Sequence, residues 1–387
     1  MNVNSYDFLD IFKDLTSEQR LVQETTRKFV KEEYQPLIED AFERGVFPSH
    51  IPKRLGELGL LGSTLTGYGC AGLDSISYGL IMKELERGDS GLRSFASVQG
   101  ALVMYPLFTF GSDAQKEKWL PQLASGSAIG CFGLTEPNFG SNPAGMLTTA
   151  TRKKNSWVLH GSKTWITSAT VADVAVVWAK TEDGIRGFLV EKGTPGFSTA
   201  EITRKLSLRA SVTGSLFFDQ CEIPLENLLP KTEGLKSALM CLNQARFGIA
   251  WGALGAGEDC LEEATSYSRD RIMFDRPLSS FQLVQAKLAK MATDLSLGNL
   301  AAFQLARLKD NGSLHHSAVS MAKQNNVKIS LETARTARDI LGANGISLEY
   351  RSMRHACNLE SVYTYEGTND IHTLIVGQQV TGTAAYQ

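Results

Sequence analysis

From Leu235 onward, apolar positions recur at helical spacing in four long segments, about 235–272, 280–310, 314–342 and 352–383, joined by short links. Helices of that length with short links bury their apolar stripes against one another, so this part is predicted to be a four-helix bundle. The stretch before it has another texture. Trp157–Thr167 reads as two short strands around a turn at Gly161-Ser162. Val174–Ala179, Gly187–Val190 and Ser215–Phe218 are β-branched or aromatic runs of strand length. No helix-length pattern separates them, which predicts an antiparallel sheet, a small barrel or sandwich.

The first 128 residues return to the helical period. Thr16-Ser17-Glu18-Gln19 fits a capping box, and Leu21, Val22, Thr25, Phe29 and Val30 then share one helical face. A second helix is predicted over about 51–61, and a third follows Leu73 through Arg87. A helix of small residues runs from Asp89-Ser90-Gly91 to about Phe110, and Ser112 caps another through Leu123. The predicted fold is α+β and multidomain: an N-terminal helical domain (1–128), a middle antiparallel β-barrel or sandwich (129–234) and a C-terminal four-helix bundle (235–387).

The 387 residues carry a net charge of −2, with 43% hydrophobic and 21% charged content, the balance of an ordinary globular protein. That balance supplies neither the basic excess of a nucleic-acid binder nor a polybasic run for a lipid surface. Six cysteines are scattered without a CxxC pair and read as reduced thiols. The six histidines show no HExxH spacing, so no metal site is expected. Asp7, Asp10 and Asp14 interrupt the start of the chain, unlike a secretory or transit leader. No window holds eighteen apolar residues, so no membrane insertion is expected. The expected location is cytoplasmic, or the mitochondrial matrix for a mature eukaryotic form.

Several stretches carry candidate chemistry. Gly67-Tyr68-Gly69-Cys70-Ala71-Gly72 matches GxGxxG, but a dinucleotide fold needs a strand directly before it, and Leu55, Leu58, Leu60 and Leu61 suggest a helix there. A glycine-rich connector is the expectation. Tyr365-Glu366-Gly367-Thr368 breaks the last helical segment. A glutamate held in such a break, beside an aromatic ring and a glycine, can have its carboxyl raised toward neutrality, as a base for a weakly acidic proton requires. A solvated loop glutamate is the simpler alternative. Glu86 and Arg93 flank Gly91 and form either an ordinary ion pair or a pocket in which arginine clamps a carboxylate.

The loop Thr135–Pro143 combines Pro137, Gly140 and the hydroxyls of Thr135 and Ser141, suited to presenting N–H groups to a flat ring or phosphate, or simply to linking domains. Trp165 could stack on a ring or fill a core. Arg271 could meet a pyrophosphate or complement a helix C-terminus. Leu341-Gly342-Ala343-Asn344-Gly345 could simply be a glycine stop.

These stretches together resemble the acyl-CoA dehydrogenase family over nearly the whole chain, and within it the branch that acts on glutaryl-CoA. The resemblance rests on Glu84–Ser94, Cys131–Asn138, Lys163–Thr167, Leu206–Ala210, Ala245–Gly252 and Asn358–Thr368. It implies an FAD-bound homotetramer with electron-transferring flavoprotein as electron acceptor. It implies α,β-dehydrogenation, with Glu366 removing the α-proton of the thioester while flavin N5 accepts the β-hydrogen as hydride. Decarboxylation of glutaryl-CoA would follow, giving crotonyl-CoA and CO2. An enzyme for another short-chain acyl-CoA, or one stopping at glutaconyl-CoA, is the alternative.

By the same resemblance, Glu86, Arg93, Ser94, Ser97, Ser141, Arg246 and Tyr365 correspond to substrate contacts. Phe132, Leu134, Thr135, Ser141, Trp165, Ile166, Thr167 and Thr368 correspond to flavin or cofactor contacts. Arg271, Phe274, Gln282, Leu341, Gly342 and Gly345 correspond to FAD contacts reached partly across a subunit boundary. One departure is Asn142, where the family usually has aspartate, which removes a charge from that loop.

Overall fold

A computed structural model describes residues 7–385. The N-terminal helices are α1 (Ser17–Phe29), α2 (Gln35–Arg44), α3 (Ile51–Glu57), α4 (Ser75–Gly88), α5 (Ser90–Ser97), α6 (Tyr105–Phe110) and α7 (Asp113–Ala124). Thr16 and Gln19 form the expected capping box at α1, and Ser112 and Gln115 form a second at α7. Phe29 and Val30 are buried as expected, whereas Leu21 is 64% exposed and stands outside the buried face. The helix expected over 51–61 stops at Glu57, because Gly59 and Gly62 take positive φ and turn the chain. Val30–Tyr34 and Val98–Met104 are wide π-type turns inside otherwise continuous helix, the second continuing directly from α5. The GxGxxG stretch is a connector: a small ribbon of β1 (Thr66–Gly67) and β2 (Cys70–Ala71) between α3 and α4.

The middle part is a seven-stranded sheet of β3 (Gly130–Gly133), β4 (Thr149–Arg152), β5 (Ser156–Thr167), β6 (Val174–Thr181), β7 (Gly184–Glu191), β8 (Phe197–Glu201) and β9 (Thr213–Pro224). Two expectations need correction here. The stretch read as two strands about Gly161-Ser162 is the single strand β5, paired along both halves with β9. Instead of turning, it bulges between Leu159 and Gly161 and again between Lys163 and Ile166. The sheet is also mixed and not purely antiparallel: β3 and β4 both run parallel to β6. The crossover that parallel pairing requires is made by strands β4 and β5, not by a helix, so it left no helical signal in the sequence.

The C-terminal part comprises α8 (Gly234–Asp270), a hairpin of β10 (Ile272–Met273) and β11 (Arg276–Pro277), and then α9 (Gln282–Asp310), α10 (His316–Ile340), α11 (Arg351–Thr364) and α12 (Asn369–Thr381). One apolar core runs through both helical parts, joining Leu80, Leu85 and Leu92 to Phe247, Leu254 and Leu359, while the sheet has its own core around Leu159, Val177, Phe188 and Leu216.

Helix α4 is buried nearly all round despite its charges, because each is paired. Glu84 meets Arg27 at 2.6 Å, Lys83 meets Glu258 at 2.7 Å, and Arg87 meets Glu258 and Glu262, each at 2.9 Å. It crosses α8 so closely that a Cβ on Gly255 would lie 1.9 Å from the Lys83 carbonyl oxygen. Among the described residues, no helix is long and apolar enough to cross a membrane, and no His, Cys, Asp and Glu cluster could hold a metal ion. The six cysteines are free thiols.

Candidate active site

The predicted break is a four-residue turn between α11 and α12. Thr368 ends it by capping α12, its hydroxyl accepting from the Ile371 N–H at 3.2 Å. Inside the turn Glu366 has φ +52° and Gly367 φ +95°. A non-glycine residue in the left-handed region is held there by its surroundings, and here two cations do the holding. Arg246 on α8 donates to the Glu366 carbonyl at 2.7 Å. Lys323 on α10 donates to the Tyr365 and Gly367 carbonyls at 3.2 and 2.9 Å.

Glu366 is therefore not a solvated loop residue. Its Oε2 is buried without a hydrogen-bond partner. Burial raises its carboxyl above the usual range, while Arg93, Arg246 and Lys323 oppose that rise.

Arg93 and Glu86 are both fully buried, joined at 2.6 Å from Nε to Oε2. The Tyr365 hydroxyl contacts Arg93 Nη2, so the pair lies beside the residue preceding Glu366. Arg93 Nη1 is buried without a partner, and Ser94 and Ser97 are buried along the same helix. Gly252 on α8 makes room for the pair, since a Cβ there would fall 2.2 Å from Glu86 Oε2. A buried guanidinium with an unused N–H, beside a carboxylate with an unused oxygen, can hold a dry anionic group at one end of a ligand and accept a proton at the other.

A second group lies along the sheet. Phe132 and Leu134 are buried on β3 and the loop after it, and Ile166 is buried on β5, with Thr167 partly covered. Trp165 is no core residue: it is 61% exposed, and the bulge sets it at φ +58°, turning its indole outward. The loop after β3 is folded back on β5 by Glu136, whose carboxylate accepts from Leu147 N–H at 2.6 Å, Thr148 N–H at 2.9 Å and the Lys163 ammonium at 2.8 Å. Thr135 joins this edge through its carbonyl, which accepts from Thr164 N–H at 2.9 Å, while Ser141 and Asn142 are exposed at the loop tip. The sheet edge reaches the helices through the 202–212 segment. Ser168 N–H donates to the Val212 carbonyl at 2.9 Å, and Leu208 N–H to the Asn358 side chain of α11 at 2.8 Å.

The third group stays apart. Arg271, Phe274 and Gln282 are exposed at the hairpin after α8, with Phe274 and Asp275 both at positive φ. Leu341 and Gly345 are buried after α10, where Gly342 takes φ +63° and stops that helix. Asn344 donates to the Tyr267 hydroxyl near the hairpin at 3.1 Å. These residues gather at the start of α11, whereas Glu366 lies past its end. At a rise of about 1.5 Å per residue, the 14 residues of α11 set the two groups roughly 20 Å apart.

Sequence reasoning missed Lys323, Glu136 and Tyr78. The Tyr78 hydroxyl is buried and pushed up to about 12, chiefly by burial, with Arg93 and a hydrogen bond to the Ser97 side chain opposing the rise and Glu366 adding to it. Its ring stacks on Phe247 at 6.1 Å. Lys323 and Tyr78 had no local signal, since each acts on groups remote in sequence, while Glu136 lies within the Cys131–Asn138 stretch but its partners come only at Leu147, Thr148 and Lys163.

Three family models cover the chain: acyl-CoA dehydrogenase N-terminal domain over 16–127, middle domain over 131–221 and C-terminal domain over 232–381. The human mitochondrial short-chain specific acyl-CoA dehydrogenase is 36% identical over 94% of this chain and 90% of its own. A glutaryl-CoA dehydrogenase crystal structure from Mycobacterium smegmatis is 54% identical, with a TM-score of 0.96 over 97% of this chain and 98% of that one. A second M. smegmatis glutaryl-CoA dehydrogenase structure, in complex with FADH2, is 52% identical, with a TM-score of 0.97 over 99% and 100%. This chain, an enzyme with a helix–sheet–helix architecture, belongs to the acyl-CoA dehydrogenase family.

Proposed function

We propose that the protein catalyses FAD-dependent α,β-dehydrogenation of glutaryl-CoA followed by decarboxylation to crotonyl-CoA and CO2. The observation that carries this reading is the buried Arg93–Glu86 pair, with Arg93 Nη1 unpartnered, beside the turn that bears Glu366. A pocket for an alkyl chain gains nothing from a buried guanidinium, which is costly to desolvate. A carboxylate at the far end of a five-carbon acyl group repays that cost through a charge-assisted hydrogen bond.

The residues present fit a flat cofactor: an outward-turned indole at Trp165, the hydroxyls of Thr135 and Thr167, and a buried Glu366 oxygen with no partner in the chain. FAD, when bound, supplies the acceptor for the substrate's β-hydrogen. Phe132, Leu134, Thr135, Ser141, Trp165, Ile166, Thr167 and Thr368 would hold it. Arg271, Phe274, Gln282, Leu341, Gly342 and Gly345, at the far end of α11, would serve the cofactor of a neighbouring copy. That arrangement goes with a homotetramer and with Phe274 standing 85% exposed in a single copy.

Glu366 takes the α-proton, which a carboxyl raised by burial does better than one in water. Its own N–H lies in the same turn, available to the thioester oxygen as negative charge develops there. Arg93 holds the distal carboxylate until the bond to CO2 breaks. The bonding pair then enters the conjugated enoyl thioester, and Glu366, protonated in the first step, is the buried acid that returns a proton. Electron-transferring flavoprotein would reoxidise the cofactor.

Incubation with glutaryl-CoA and an artificial electron acceptor, with mass analysis of the product, tests this. Crotonyl-CoA with stoichiometric CO2 is expected. Glutaconyl-CoA as end product would overturn the decarboxylation, and failure to turn over would overturn the substrate. Arg93→Ala is expected to raise KM for glutaryl-CoA far more than for butyryl-CoA, and equal effects would remove Arg93 from the distal site.

A further inference from the structure

Lys323 has no part in the reaction as just described, yet it is among the largest wholly buried side chains of the protein. It lies on α10, and two of its three ammonium hydrogens go to main-chain oxygens of the α11–α12 turn: Tyr365 O at 3.2 Å and Gly367 O at 2.9 Å. The oxygen between these, that of Glu366, is held from the opposite helix by Arg246 Nε at 2.7 Å. Three successive carbonyls thus face two cations. We propose that Lys323 is a positioning residue for the base: it fixes the left-handed turn that bears Glu366, and its ammonium favours the ionised form of that carboxylate. The proposal rests on the reading of Glu366 as the base.

Geometry gives two reasons why this position calls for a cation. The Tyr365 and Gly367 carbonyls lie in the turn past the end of α11 and have no partner within a helix, and three adjoining carbonyl oxygens gather negative potential there. A buried ammonium satisfies both, whereas a neutral side chain leaves oxygens unpaired. The turn is also intolerant of movement. A Cβ on Gly367 would fall 2.9 Å from His372 Nε2 and 3.2 Å from Arg246 Nη2, so the main chain there is packed on both sides.

Lys323 and Glu366 each favour the charged form of the other. Burial pulls the Lys323 ammonium down to about 7, opposed first by the Glu366 carboxylate; Arg246 and Arg93 push it further down, and Glu86 pushes it back up. Lys323 in turn lowers the Glu366 carboxyl against the rise caused by burial. The charged and titratable groups that couple to the ammonium are Arg246 from α8, Arg93 from α5, Glu86 from α4, Glu366 from the turn and His372 from α12. His372 is held neutral, pulled down to about 3 by burial and by the two cations Lys323 and Arg246. Among the anions, Glu366 raises Lys323 most.

The test compares Lys323→Met, Lys323→Gln and Lys323→Arg with the FAD-loaded parent, measuring flavin content, Tm, and kcat and KM for glutaryl-CoA across pH. Lys323→Met is expected to lose about 10- to 100-fold in kcat with little change in KM, as a misaimed base would. The acidic limb of kcat/KM is expected to move to higher pH by about half a unit or more, because removing a nearby positive charge makes the base harder to ionise. Lys323→Arg is expected to restore the limb. Lys323→Gln, which keeps a donor without the charge, is expected to recover part of kcat with the limb still displaced, and it carries the test if the methionine variant does not fold. A lowered Tm with the limb unmoved in every folded variant would overturn the proposal and leave Lys323 a purely structural residue. Glu366→Gln is run alongside: if that variant still turned over, the base assignment would fail whatever Lys323 does.

Discussion

At the scale of single residues, the proposed chemistry rests on Glu366, whose Oε2 is buried without a hydrogen-bond partner. Glu366 is raised by burial, so ionising it in the folded protein is uphill relative to the unfolded chain. The sign follows from that. The protonated form favours folding, and this contribution is present below the ordinary value of 4.5 and lost as pH rises through the higher folded value. Glu366→Gln is expected to reduce turnover by about a thousandfold or more while keeping bound flavin. It is also expected to raise Tm relative to the parent at pH 7 to 8, with the gain disappearing near pH 4. Melting curves across pH check this, and a variant less stable at pH 8 would contradict it. The residues alone showed a carboxyl in a helix break and two opposite charges flanking Gly91, and the resemblance drew attention to Glu366, Tyr365, Glu86 and Arg93. Lys323 was not legible. In sequence it is one polar position of a long helix, and its purpose depends on the phase of α10 against a turn 42 residues further on.

At the scale of elements, the crossing of α4 and α8 sets the room left for the buried Glu86–Arg93 pair. Alanine for glycine inside a helix ordinarily stabilises by about 1 kcal/mol. At Gly252 the added Cβ would meet Glu86 Oε2 at 2.2 Å and Arg93 Nε at 3.1 Å, so the buried pair must shift. Gly252→Ala is therefore expected to lower Tm despite its helix propensity, and to raise KM for glutaryl-CoA more than about tenfold with a smaller effect on butyryl-CoA. Paired steady-state kinetics decide it, and equal effects on both substrates would contradict it. Helix periods and caps were readable because side chains three and four apart report on one face. Strand β5 was misread because a bulge and a turn use the same glycine. Only pairing with β9 on both sides of Gly161 distinguishes them.

At the scale of the whole molecule, the loop after β3 is tied to the sheet by the buried Glu136–Lys163 ion pair. Burial alone would raise the Glu136 carboxyl, but the Leu147 and Thr148 N–H groups and the Lys163 ammonium outweigh it and pull it down to about 2. Its stabilisation is therefore present above the ordinary 4.5 and lost as pH falls toward 2. Glu136→Gln is expected to be less stable than the parent at pH 7 and to lose less on acidification through that window. Urea unfolding followed at several pH values checks it. The order of helices, sheet and helices was legible from texture alone, but the way the sheet edge reaches α11 through Asn358 was not, because that contact joins positions 150 residues apart.

Trp119, Trp157, Trp178 and Trp251 are each 8% exposed or less, which leaves Trp165, at 61%, as the single indole open to solvent. The protein therefore carries its own optical gauge at the sheet edge. Acrylamide, a quencher confined to water, should dim the apoprotein's fluorescence through that one side chain, and saturation with FAD should shield it. A Trp165→Phe apoprotein should lose the quenchable fraction, and quenching that persisted unchanged in that variant would show that another indole had become accessible.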